Sequence, residues 1–255
     1  HVLAEIVSLV AAGHTVTVVD NRQLKTGIAL PASSCTLVEA DVRDLGDGCR
    51  EILDAEWDVV VQLASVVGVP NVLAAPWETL EIGWSAMMMA LALKAKKHVL
   101  ASTSEVYGPD CPVTDETKPV VIPDPTAPRA AYAVSKAWAE AMLAQSGHDY
   151  VILRFHNVYG PAMGMDHVIP MFCQQLRGPS SLYVDDPTAV RAFCYIEDAV
   201  RGILAAMECY SRTIVNIGNP EEPVTMLRLM RRLMTVTKDS RQTITSTAAQ
   251  GYPRV

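Results

Sequence analysis

Cysteine is scarce and scattered in this chain. The six residues (Cys35, Cys49, Cys111, Cys173, Cys194 and Cys209) form no C-x-x-C and have no paired histidine spacing. That argues against a metal site and suits small core fillers in a reducing cytoplasm. A surplus of positive charge is missing too. The formal net charge is −7, and binding to nucleic acid needs a basic face; a ligand with one or two phosphates needs only one or two local cations. Long hydrophobic runs are also absent. The longest strongly apolar stretch, Ala86 to Leu93, falls far short of the roughly 20 residues that span a bilayer. No repeat and no low-complexity segment occurs. The expectation is a cytoplasmic protein with neither membrane nor nucleic acid as its partner.

What is there is an apolar half. Hydrophobic residues make up 50% of the 255, enough for one large domain or a domain with a smaller lobe. Residues 1–12 read as an amphipathic helix with Val2, Ile6, Leu9 and Val10 on one side, stopped by Gly13 as a C-terminal cap. A strand follows from Thr15 to Val19. Strand-like and helical stretches then alternate: Val59 to Leu63, Thr79 to Lys94, His98 to Ser102, Ala131 to Ala144, Tyr150 to Arg154. Such alternation predicts an α/β fold, a doubly wound parallel sheet with helices on both faces. From about Gly160 the regular spacing breaks up. That gives expected domains at 1–160, binding a dinucleotide, and 161–255, mainly a smaller substrate-binding lobe.

Chemistry concentrates in two segments. Thr103-Ser104-Glu105-Val106-Tyr107-Gly108 follows the end of an apolar strand, and Tyr132-Ala133-Val134-Ser135-Lys136 opens a helix. Tyrosine and lysine four apart share one helical face. The ammonium of Lys136 is therefore expected close to the phenol of Tyr132, lowering its pKa. A tyrosine tuned in this way can take a proton from a sugar hydroxyl while a nicotinamide takes the hydride. Thr103 would hold the same substrate oxygen. Alone, a Tyr-x-x-x-Lys pair usually marks a solvated helix face; an upstream hydroxyl at a strand end makes it a catalytic candidate.

These residues resemble the extended short-chain dehydrogenase/reductase family, the NAD-dependent epimerase/dehydratase type. Further pieces in the family's order are Val16 to Asn21, Ala40-Asp41-Val42-Arg43-Asp44, Gln62-Leu63-Ala64-Ser65, Arg154 to Pro161, Arg191-Ala192-Phe193 and Val215 to Asn219. The resemblance implies a Rossmann-like sheet whose first strand and glycine-rich turn precede His1, with the far end also cut short after Val255. A chain so truncated is expected to bind dinucleotide poorly by itself.

The resemblance also implies roles. Asp20, ending its strand, stands where a carboxylate meets the adenosine ribose and favours NAD over NADP, although Arg22 nearby could accept a phosphate. Asp41 and Val42 match the segment beside the adenine, and Leu63 and Ala64 line the cofactor path with Tyr132 and Lys136. Ser104, Asn157 and Arg191 are the substrate-binding expectations, Arg191 for the diphosphate; a structural pair with Glu197 or Asp198 is its alternative. Thr103, Glu105, Tyr132 and Lys136 are the catalytic set. Oxidation at the sugar C4 comes first. Glu105 is more than a 4-epimerase demands, and Thr-Ser-Glu resembles UDP-glucuronic acid decarboxylases and GDP-mannose-type 4,6-dehydratases. Decarboxylation, 4-epimerisation and dehydration of a nucleotide sugar all stay open, as does a non-catalytic NAD-binding role. A homodimer through Thr79 to Lys94 and Ala131 to Ala144 is expected from the family.

Overall fold

The computed structural model describes residues 9–21, 35–44, 49–108, 111, 114–161, 163–179, 181–209, 211–241 and 244–245. The first eight residues of the expected opening helix lie outside the described residues, as do Arg22 and the stretch 252–255. The stop at Gly13 is seen: its N–H donates to Val10 O (3.0 Å) and that of His14 to Leu9 O (3.1 Å), the paired bonds of a Schellman cap.

Parallel strands carry the fold. β1 (Thr17–Asp20) pairs with β2 (Thr36–Glu39). β3 (Glu56–Gln62), β4 (Lys94–Thr103), β5 (Tyr150–Phe155) and β10 (Thr213–Ile217) form the main sheet in the order β10-β5-β4-β3. Between β5 and β10 come the short strands β6 (Asn157–Tyr159), β7 (Leu182–Tyr183), β8 (Val190–Arg191) and β9 (Phe193–Tyr195). β11 (Val224–Thr225) and β12 (Ile244–Thr245) follow.

The helices are α1 (Arg50–Asp54), α2 (Val69–Ala74), α3 (Pro76–Ala92), α4 (Ala130–Gln145), α5 (Val168–Arg177), α6 (Ile196–Cys209) and α7 (Met226–Thr237). Each expected segment from Thr15 to Arg154 is present with shifted ends. The largest shift is at residue 94: Lys94 was expected inside a helix but starts β4, paired with Glu56. Ladder bonds to β3 override the good helical propensity of the Lys94-Ala-Lys-Lys run, as tertiary context commonly does.

Side chains alternate across the sheet, as the period-2 pleat requires. Leu100 and Ile152 pack under α3 and α4 with Met87, Ala139 and Leu143, while Val99, Val151 and Leu153 meet Ile203 and Ala206 of α6 on the opposite face. The doubly wound expectation is thereby met. β10 and α6 rejoin the main sheet from within the 161–255 stretch. A second core, Phe172, Leu182, Val184, Val224, Leu229 and Met230, sits between α5 and α7.

α3 and α4 touch closely because Gly83 has no side chain: a Cβ there would lie 2.8 Å from Ser135 Cβ. Their outer face carries Trp84, 52% exposed, stacked on Trp138 with ring centroids 4.1 Å apart.

One buried group makes stability depend on pH. His98 on β4 is 2% exposed, neither ring nitrogen has a hydrogen-bond partner, and the His148 ring meets it edge-on. Burial, then His148, pulls its pKa from 6.5 down to about 4. The folded chain therefore holds it neutral. Its contribution to stability is complete above the unfolded value of 6.5 and is lost as pH falls through the folded value of about 4. The melting temperature is expected to drop across that window, and His98→Leu, which removes both unbonded nitrogens, to flatten the slope. An unchanged slope in the variant would assign the acid sensitivity elsewhere.

Candidate active site

The C-terminal ends of the parallel strands gather the chemistry, as the crevice rule for open α/β sheets leads one to expect. Thr103 closes β4 in extended conformation, and residues Ser104–Tyr107 curl at once into a 3-10 turn. The Thr103 hydroxyl oxygen accepts the Glu105 N–H (3.2 Å) and so caps the turn. Val106 and Tyr107 are buried and anchor it, which leaves Ser104 and Glu105 half-buried at its mouth. Gly108 ends the turn at φ +80°, a backbone state that L side chains rarely adopt.

α4 brings Tyr132 alongside. Burial, followed by the Glu105 carboxylate, pushes the phenol's pKa well above the usual tyrosine value. Thr103 and Arg129 pull in the opposite direction. This corrects the expected tuning. Lys136 does lie one turn along, but its Nζ donates to the Ala101 carbonyl of β4 (2.8 Å), and the charges acting on Tyr132 are those of Glu105 and Arg129. The physical reason is burial: with Lys136 only 5% exposed, its ammonium needs an acceptor, and the carbonyl beneath α4 supplies one. Burial pulls its own pKa down to about 8, against the Glu140 carboxylate.

Glu140, one further turn along α4, fixes the helix to the sheet. Arg154 of β5 donates to it twice, Nε to Oε1 (3.0 Å) and Nη2 to Oε2 (2.7 Å), and Ser102 donates to Oε1. The Arg154 guanidinium lies 4.8 Å over the Tyr107 ring, whose hydroxyl donates to Asn216 Oδ1 (2.8 Å). A continuous polar chain thus runs from α4 under the site to β10.

Glu105 is the other ionisable group at the mouth. Its Oε1 accepts from Arg129 Nη2 at 2.5 Å; its Oε2 is buried without a partner. Burial raises its pKa, while Arg129, by charge and by hydrogen bond, and then Arg191 lower it. Sequence reasoning gave Arg129 no role, although it precedes Tyr132 by three residues and so shares its helical face.

Arg191, on β8, interacts electrostatically with Glu105, Asp186 and Arg129, and Nη1 donates to the Val190 carbonyl (2.9 Å). Of the two acids offered as an alternative pair, Asp198 bonds Arg201 instead. Asn157 ties β6 to the same strand region, with Nδ2 donating to Ala192 O (3.1 Å).

The expected cofactor residues sit at the strand ends. Asp20 closes β1, half-buried. Asp41 and Val42 follow β2, and Leu63 and exposed Ala64 follow β3. Asp41 departs from expectation in one respect. Its two carboxylate oxygens accept from Arg43 N, Nε and Nη2 and from Asn21 Nδ2, which fills a carboxylate's capacity. Only its backbone is left to offer a ligand. The donor set fits NAD: a carboxylate at Asp20 for ribose hydroxyls, a small exposed side chain at Ala64, and a buried, unbonded acceptor at Gln62 Oε1. Among the described residues, no group of three or more His, Cys, Asp or Glu could hold a metal ion. No helix among them is long and apolar enough to cross a membrane.

Comparison with known proteins agrees with this geometry. The model of the NAD dependent epimerase/dehydratase family matches residues 5–218. UDP-glucuronic acid decarboxylase 1 of Xenopus tropicalis is 33% identical over 244 residues, covering 89% of this chain and 56% of the relative. UDP-N-acetyl-alpha-D-glucosaminuronate decarboxylase of Bacillus cytotoxicus is 32% identical over 225 residues, covering 84% of this chain and 70% of the relative. Among solved structures, UDP-glucose 4-epimerase of Thermotoga maritima superimposes with a TM-score of 0.80 at 25% identity, covering 98% of this chain and 84% of that one.

Proposed function

Because this chain belongs to the NAD dependent epimerase/dehydratase family, we propose that it modifies a nucleotide sugar through a 4-keto intermediate, and that the reaction is decarboxylation of UDP-glucuronic acid. One observation carries the choice: Glu105 stands beside Tyr132 with one carboxylate oxygen buried and unbonded. A 4-epimerase needs no second group able to move protons. Likeness to two uronate decarboxylases supports the same reading.

NAD, when bound, supplies an acceptor that takes the C4 hydride and returns it, and its oxidised ring carries positive charge of the kind that favours a phenolate. Asp20 holds the adenosine ribose, with Val42, the Asp41 backbone, Leu63 and Ala64 along the cofactor. Tyr132 takes the proton of the C4 hydroxyl, and Thr103 holds that oxygen. Lys136 anchors the Tyr132 helix on the Ala101 carbonyl.

Once C4 is a ketone, the C6 carboxylate is β to it. The C5–C6 bond then breaks, its electron pair passes into the C4–C5 enolate, and carbon dioxide leaves. Glu105 delivers a proton to C5, and Tyr132 returns its proton to O4 as the ketone is reduced. Arg191 meets the diphosphate through the paired donors of its guanidinium; Asn157 and Ser104 complete the sugar-nucleotide contacts. The part built on α5 and α7 serves as the substrate-binding lobe, and the Trp84–Trp138 face seats a second copy of the chain.

The test is the mass of the product formed from UDP-glucuronic acid with NAD. Loss of carbon dioxide is expected, with the rate falling by about 100-fold or more in Glu105→Gln, the scale of a lost general acid. Unchanged mass with an inverted C4 would make this a 4-epimerase. Loss of water from a neutral hexose nucleotide would make it a dehydratase, and no turnover of either would revive the non-catalytic reading. Sedimentation of the same sample reads whether it is dimeric.

A further inference from the structure

Glu105 is held in an unusual way for a surface-facing carboxylate. Its partner Arg129 stands at the entry to α4, immediately before the helix that carries Tyr132. The Arg129 side chain is 14% exposed and that of Glu105 25%, so the pair sits below the rim rather than in open solvent. The bond between them uses one guanidinium nitrogen and one carboxylate oxygen, 2.5 Å apart. Oε2 is left buried and bare. A purely structural pair in a half-buried place would gain from the two-pronged geometry that the buried pair Arg154 and Glu140 adopts. Here the second prong is not made.

We propose that Arg129 is the positioning residue for Glu105: it pins Oε1, fixes the carboxyl plane, and leaves Oε2 as the one oxygen that exchanges a proton with the sugar. This inference rests on the reading of Glu105 as the group that protonates C5. The charges facing Glu105 are Arg129 at the start of α4 and Arg191 on β8, and the titratable Tyr132 phenol lies within electrostatic reach. Burial and the two guanidiniums oppose one another at Glu105. Burial leads that balance and raises the carboxyl above its usual range, and loss of either guanidinium would leave it less opposed. Removing Arg129 takes away the largest counterweight to burial and lets the carboxyl swing.

The experiment is a pH profile of kcat and kcat/KM for decarboxylation by the full-length protein, in wild type, Arg129→Gln, Arg129→Lys and Glu105→Gln. In Arg129→Gln, kcat should fall by about 100-fold, the cost of a misplaced catalytic group. KM should stay within about threefold, and the limb set by Glu105 should move to higher pH, as loss of a neighbouring cation requires. Arg129→Lys, which keeps the charge but not the planar fork, should restore the position of the limb and only part of the rate.

A KM raised by about tenfold or more with an unmoved profile would overturn the proposal and make Arg129 a direct substrate contact. An unchanged kcat and profile in Arg129→Gln would leave the pair merely structural, and should that variant not fold, an unmoved profile with full rate in Arg129→Lys decides the same way. The two readings fail separately. Full activity in Glu105→Gln sinks the role of Glu105 itself; an inactive Glu105→Gln beside a wild-type-like Arg129→Gln sinks only the positioning role.

Discussion

Tyr132→Phe should abolish turnover, by about 1,000-fold or more, while nucleotide-sugar binding changes little. The phenol is the group placed to take the C4 proton, and a positioned acid or base contributes about 100- to 10,000-fold. Phenylalanine keeps the ring in its half-buried seat on α4 and loses only the hydroxyl, so the fold and nucleotide-sugar binding should survive. Single-turnover measurement of C4 oxidation, alongside ligand titration, separates the two effects. Activity retained in this variant would move the base to Glu105. At rest the phenol is held protonated by burial and by the Glu105 charge. Its pKa must therefore come down when cofactor and substrate bind, and the rate of C4 oxidation should rise with pH through the value reached in that complex.

The largest effect on stability should come from Arg154→Leu. Arg154 is 2% exposed and Glu140 5%, and the two are joined by two charged hydrogen bonds. Removing the cation strands a buried carboxylate, a change that costs about 3–5 kcal/mol. Changing both partners, Arg154→Leu with Glu140→Leu, should recover most of that loss, because a hydrophobic replacement of a whole buried pair is often neutral. Denaturant unfolding of the two variants reads this directly. A single variant within about 1 kcal/mol of wild type would mean that water or another residue satisfies Glu140, and the pair would then matter less than its burial implies.

Much of the fold was legible because its signals are local. Short apolar runs such as Tyr150 to Arg154, set between helical patterns, read as strands buried on both faces, and the Schellman bonds at Gly13 follow from one residue type at one position. Thr103, Glu105, Tyr132 and Lys136 could be nominated together for the same reason: strand end, turn and helical face are each set within a few residues. The misjudged parts involve partners distant in sequence. Lys94 joined a strand because Glu56 was there to pair with it. Arg191 lies within electrostatic reach of Glu105, 86 positions earlier by the numbering, and no spacing rule reports such a meeting.

The sequence by itself determined the alternation of strands and helices and placed the candidate residues Thr103, Glu105, Tyr132 and Lys136 on a strand end, a turn and a helix, since these depend on residue type and short-range periodicity. Tertiary structure alone decided the electrostatics. Burial under α4 sent Lys136 to the Ala101 carbonyl instead of to Tyr132, Arg43 and Asn21 filled the carboxylate of Asp41, and Arg129 came to hold Glu105 by one oxygen. Protonation depends on which charges and dipoles surround a desolvated group, and that neighbourhood exists only once the chain has folded.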